Sequence, residues 1–99
     1  MIFRLQFTEE SEQDLAELHA FLASANPSAA AKALTKIRRA FGLLEDFPYA
    51  CRKALDPPEP GLRELVISFG RRGYVALFRI EGDMVSILSV RQQRESDYH

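Results

Sequence analysis

Cysteine occurs once in the 99 residues, at Cys51, so no internal disulfide can form and the usage suits a reducing compartment. Neither histidine lies near it in sequence to make a Cys–His nucleophile pair, and Cys51 reads as a small, partly buried hydrophobe. No apolar run approaches the ~20 residues that cross a bilayer, and no charged-then-apolar leader opens the chain. The expected location is therefore the cytoplasm, away from membranes. The five glycines never gather into a phosphate-cradling loop. Metal-ligand spacings, internal repeats and low-complexity tracts are absent too, so neither a metal nor a cofactor is expected. Thirteen Lys and Arg against fourteen Asp and Glu leave a net charge of −1, which gives no global field to draw the chain to a membrane or to free DNA.

What is present is ordinary globular material. With 46% hydrophobic and 27% charged residues, the chain is not disordered. Its length suits one domain over residues 1–99 with a single core. Charge is unevenly spread, however. Residues 1–48 carry five Lys/Arg and seven acids; residues 49–99 carry eight and seven, six of the eight being arginines from Arg63 onward. A local basic patch is compatible with that distribution.

Ile2 to Phe7 alternates, with Phe3, Leu5 and Phe7 on one side, as a half-buried strand does. Thr8 followed by Glu9, Glu10, Glu12 and Asp14 is a helix start. A hydroxyl takes orphan N–H groups and the acids suit the positive end of the dipole, so these carboxylates read as helix-start groups rather than a paired-carboxylate site. Leu15, Leu18, His19, Leu22 and Ala25 then recur at helical spacing, with His19 expected as a packed or hydrogen-bonded histidine. Asn26-Pro27 caps and opens a second helix. Its apolar positions, Ala30, Ala33, Leu34, Ile37, Ala40, Phe41, Leu44 and Phe47, keep the 3.6-residue period. Lys32, Lys36 and Arg39 fall on its solvated side. Two such helices make a hairpin that needs a sheet to cover.

Pro48 stops the second helix, and Pro57, Pro58 and Pro60 make the stretch to Gly61 a surface loop with a turn near Cys51 to Leu55. Three apolar segments follow: Leu62 to Phe69, Tyr74 to Ile80 and Met84 to Val90. Gly70 to Gly73 reads as the first turn and Gly82-Asp83 as a tight hairpin tip. Counting back from that tip pairs Glu81 with Met84, Arg79 with Ser86, Leu77 with Leu88, Val75 with Val90 and Tyr74 with Arg91. One face then holds Val75, Leu77, Arg79, Ser86, Leu88 and Val90; the other holds Tyr74, Ala76, Phe78, Ile80, Val85, Ile87, Ser89 and Arg91. Both are largely apolar, and a helical hairpin covers only one, so the exposed face is a candidate partner surface. The expected fold is α+β: an N-terminal strand, a two-helix hairpin and a three-stranded antiparallel meander.

The ordered set Leu62-Arg63-Glu64-Leu65, Gly73-Tyr74-Val75-Ala76-Leu77-Phe78-Arg79 and Ile87-Leu88-Ser89-Val90-Arg91, with Arg94-Glu95 and Tyr98, resembles the RelE/ParE superfamily of type II toxin–antitoxin toxins, also described as plasmid stabilisation proteins. The resemblance spans nearly all of the chain. It implies a bacterial toxin held inactive by a cognate antitoxin whose C-terminal segment wraps the hairpin and sheet. It also implies one of two actions: poisoning of DNA gyrase by binding, as in ParE-like members, or ribosome-dependent cleavage of mRNA, as in RelE-like ones. The ribonucleases carry Lys-x-Lys in the strand before the central turn and Arg directly after Gly-Tyr. Here those positions hold Val66-Ile67-Ser68 and Val75, and Gln92 stands where some members have a tail histidine. Three cations that would offset phosphorane-like charge are thus replaced by two apolar residues and a hydroxyl.

The departures favour the ParE-like, non-enzymatic branch. A ribonuclease would have to rely on Arg71, Arg94 and Tyr98, and a third alternative is a degenerate, non-toxic module that only pairs with its antitoxin. Candidate contacts to target or antitoxin are Arg71, Arg72, Val75, Leu77, Arg79, Leu88, Arg91, Arg94 and Tyr98.

Overall fold

A computed structural model describes residues 2–54, 61–69 and 72–92. The chain runs β1 (Arg4–Phe7), α1 (Glu9–Ala25), α2 (Pro27–Leu44), a short 3₁₀ turn (Pro48–Ala50), β2 (Arg52–Lys53), β3 (Leu62–Phe69), β4 (Arg72–Glu81) and β5 (Met84–Gln92). The strands form one sheet in the order β1-β5-β4-β3-β2, with β3, β4 and β5 an antiparallel meander and β1 parallel to β5. This is the α+β arrangement the sequence implied. No helix among the described residues is long and apolar enough to cross a membrane.

Both helix starts are built as their sequences dictate. Thr8 Oγ1 accepts the Ser11 N–H at 3.1 Å, and Glu9, Glu10 and Glu12 occupy the first turn of α1. Asn26 Oδ1 accepts the N–H groups of Ser28 and Ala29, with Pro27 at the first position of α2. α2 buries Ala30, Ala33, Ile37, Phe41 and Leu44, while Lys32, Lys36 and Arg39 are exposed. Against this helix lies the inner sheet face, where Leu65, Ile67, Tyr74, Ala76, Phe78, Val85, Ile87 and Val90 form one cluster with Ile37, Phe41 and Leu44. Phe7 meets Phe41 edge-on at 5.3 Å between centroids, which ties β1 to the same core.

Four expectations change. His19 is exposed, because the covered side of α1 runs through Ser11, Leu15, Leu18 and Leu22 and leaves it outside. α2 ends at Leu44, where the N–H groups of Glu45, Asp46 and Phe47 turn back to Gly42 and Leu43, and Phe47 is left 65% exposed. The stretch after Pro48 is not all loop: Arg52 and Lys53 pair with Glu64 and Arg63 as an edge strand. Arg72 and Gly73, expected in a turn, already pair with Phe69 and Ser68 in the β3–β4 ladder.

The largest correction concerns register. The hairpin tip is where the sequence put it, with Gly82 at φ +60° and Glu81 opposite Met84. Pairing is regular as far as Phe78 with Ile87, and then the ladder skips: Leu77 faces Ser89, so Leu88 is an extra, bulged residue. Ala76 faces Val90, Val75 faces Arg91 and Tyr74 faces Gln92. Val90 therefore joins the core, and Arg91 moves to the outer face.

The backbone groups beside this bulge are taken up by the start of α1. Thr8 donates its N–H to the Ile87 carbonyl and its hydroxyl to the Leu88 carbonyl, both at 3.0 Å. Asp14 Oδ2 accepts the Val90 N–H at 2.9 Å. The acid that looked like a helix-start group thus serves the neighbouring strand. Asp14→Ala strands that N–H and should cost about 1–3 kcal/mol. Each kcal/mol is read as a drop of about 4–8 °C in thermal midpoint for a domain of this size. Asp14→Asn keeps an acceptor and should lose less; equal midpoints for Asp14→Ala and the parent would refute the role.

Candidate functional site: the outer face of the sheet

The helices cover one side of the sheet, so chemistry directed at a partner has the other side to use. The registers lay that face out in rows. Arg52, Glu64, Leu77 and Ser89 form one row across β2, β3, β4 and β5; Val66, Val75 and Arg91 form the next; Leu62, Arg79 and Ser86 flank the first on its other side. Ser68 pairs with Gly73 beyond the Val66 row.

The middle of this face holds apolar side chains and one buried carboxylate, Glu64, and its cations stand at the margins. Val66 and Ser68 are exposed, Val75 is buried at 2%, and Leu77 and Leu88 are half-buried. Arg79 lies 3.9 Å from Glu81 in an ion pair. Arg91 is largely exposed and also lines a groove between α1 and the end of β5, together with Asp14, Glu17, Phe21 and Gln92. Of the candidate residues, the structure brings Val75, Leu77, Arg79 and Arg91 onto this one face, and the bulge is what adds Arg91. Leu88 sits at the bulge itself. Arg71, Arg94 and Tyr98 lie outside the described residues, as does the Arg72 side chain.

One residue of this face was not singled out by sequence. Glu64 is 5% exposed, and its two oxygens meet two guanidinium groups. Arg52 Nε donates to Oε1 at 3.0 Å, and Arg91 Nη2 stands 3.9 Å from Oε2. Arg91 starts on β5 and Glu64 on β3, so the pair spans β4 at the level of Val75 and Leu77. The signal was available. An acid in the middle of a strand, with Leu62 and Val66 beside it on the same face, needs a partner where it is buried.

The other reactive groups are structural. Burial pushes the Cys51 thiol above its ordinary value, against the opposing pull of the Arg63 cation, so it stays protonated at neutral pH. Arg63 donates to the Cys51 carbonyl at 2.7 Å and lies over the Tyr49 ring, fastening the segment after α2 to β3. Among the described residues no three His, Cys, Asp or Glu side chains converge as metal ligands.

This architecture is found in known proteins. Residues 5–97 match the ParE toxins of type II toxin–antitoxin systems, parDE. The chain belongs to the ParE toxin family. Toxin RelE3 of Caulobacter vibrioides is 35% identical to it over 86 residues, covering 86% of this chain and 88% of that one. Among solved structures, a chain of the chromosomal ParDE toxin–antitoxin system from P. aeruginosa superposes with a TM-score of 0.76 at 21% identity, over 94% of this chain and 98% of that chain. A chain of the toxin–antitoxin complex RelBE2 from Mycobacterium tuberculosis gives 0.60 at 25% identity, over 94% and 100%. This ParE-family chain is thus a type II toxin–antitoxin toxin.

Proposed function

We propose that this toxin acts in the cytoplasm by binding DNA gyrase and poisoning it, and that a cognate antitoxin neutralises it. The observation that carries this reading is the character of the outer sheet face. Val66, Ser68 and Val75 occupy strand positions where the RelE-like ribonucleases carry cations, and all three sit on that face. Cleaving RNA requires groups that move protons and offset charge at the reacting phosphate. A surface with a largely apolar middle and its cations at the rim suits binding to a protein, since the buried centre of an interface is depleted in charge.

Purified protein should inhibit supercoiling by gyrase, and induced expression should cause filamentation and DNA-damage signalling. Normal supercoiling together with prompt translation arrest would sink the reading. A second reading, ribosome-dependent cleavage of mRNA, is favoured by the RelE name of the relative at 35% identity. It expects cleavage of ribosome-bound mRNA that disappears in Arg94→Ala.

A further inference from the structure

We propose that Glu64 is a positioning residue: a covered carboxylate that holds the Arg91 guanidinium in place on the outer face for contact with the toxin's target. This rests on the reading that the outer face is where the target binds, and goes beyond it by assigning roles to a residue that presents a charge and a residue that fixes it.

Glu64 is too buried to meet a macromolecular partner itself, being 5% exposed. Its Oε1 is occupied by Arg52 at 3.0 Å, a contact made within the β2–β3 ladder where the two residues are directly paired. That contact fixes the carboxylate and leaves Oε2 directed to Arg91 at 3.9 Å. The Arg91 side chain remains 64% exposed, so it is held at one end and open to a partner over most of its surface. An arginine on the last strand has many rotamers to lose on binding. A fixed carboxylate two strands away limits them before the partner arrives. The β-bulge at Leu88 is what makes this possible, because without it Arg91 would fall on the helix side of the sheet.

A double-mutant cycle on the full chain tests the inference. Glu64→Gln keeps the volume and an acceptor for Arg52 but removes the charge that holds Arg91. Arg91→Ala removes the guanidinium. The first readout is the inducer level needed for growth arrest, which does not depend on knowing the target. Each single variant should require about tenfold more toxin, and the double variant no more than Arg91→Ala alone. The second readout is the rate of Arg91 modification by phenylglyoxal, followed by mass spectrometry, which needs no target at all. It should rise severalfold in Glu64→Gln. Circular dichroism melts establish that each variant is folded; if Glu64→Gln is not, Glu64→Asp, which keeps the charge one methylene shorter, takes its place in both assays with smaller shifts.

Additive losses in the double variant, or an unchanged Arg91 modification rate, overturn the proposal. Growth arrest by the parent with unaffected gyrase overturns the gyrase reading instead, and the cycle still reports on Glu64. A parent that does not arrest growth overturns the toxin–target role of Arg91, and with it the proposal.

Discussion

Val90→Asp should leave the chain largely unfolded at 25 °C, whereas Leu88→Asp, two residues away, should leave it folded. Val90 is 5% exposed within the core cluster, so the substitution takes a carboxylate out of water among apolar side chains. The cost of such a burial is several kcal/mol, set against a total stability of about 5–15 kcal/mol for an ordinary domain. The environment makes matters worse, because the Asp14 carboxylate already sits on the Val90 N–H and would face a like charge. Leu88 is half-buried at the bulge and can turn a carboxylate toward solvent. Urea unfolding followed by circular dichroism separates the two. The unbulged register, in which Val90 and Leu88 share the outer face, predicts similar, mild effects at both positions.

That contrast also marks where the sequence stopped being readable. The strands and helices announce themselves by period, and the caps at Thr8 and Asn26 and the tip at Gly82-Asp83 follow from local chemistry. Register along a hairpin is fixed by the requirement that one face be apolar and the other not. β4 offers no such marker, since Val75 and Leu77 are as apolar as Ala76 and Phe78 on the opposite face. On β5, Ile87 and Leu88 are equally suited to burial. A one-residue skip between them violates no pattern, and what selects it is the long-range hold of Thr8 and Asp14 on β5. The parallel pairing of β1 with β5 was hidden for the same reason: it exists only once the helical hairpin has carried the chain back across the sheet.

The candidate site divides along similar lines. Arg79, Leu77 and Val75 were assigned to one face correctly because the extra residue lies on β5 and the alternation of β4 is unbroken. Arg91 was assigned to the opposite face and is moved by the skip. Glu64 escaped notice because its importance depends on Arg52, twelve positions away in a stretch that read as loop, and on Arg91 across β4. Neither neighbour is visible without the register. The three cations expected on the strands of a ribonuclease-like toxin present no such difficulty: whether residues 66, 68 and 75 carry charge is read directly from the chain.

Phe78→Ala should abolish growth arrest by a route unlike that of the outer-face substitutions. Phe78 has no exposed surface and lies on the central strand, opposite Ile87 on one side and Arg63 on the other. It belongs to the cluster that joins the sheet to Ile37 and Phe41 of α2. Truncating a buried phenylalanine removes its transfer free energy and leaves a void, at a cost of about 3–5 kcal/mol. For a domain of this size that is a large share of the total, and the midpoint should fall by about 4–8 °C for each kcal/mol. In cells the unfolded fraction would be cleared, so toxicity should vanish together with protein abundance. Glu64→Gln and Arg91→Ala, by contrast, should lower toxicity at near-normal abundance. Survivors of induced expression should therefore sort into two groups by immunoblot and thermal melt: inner-face substitutions with little folded protein, and outer-face substitutions with folded but inactive protein. Outer-face survivors that uniformly lacked folded protein would mean that this face serves stability alone and that the target is met elsewhere.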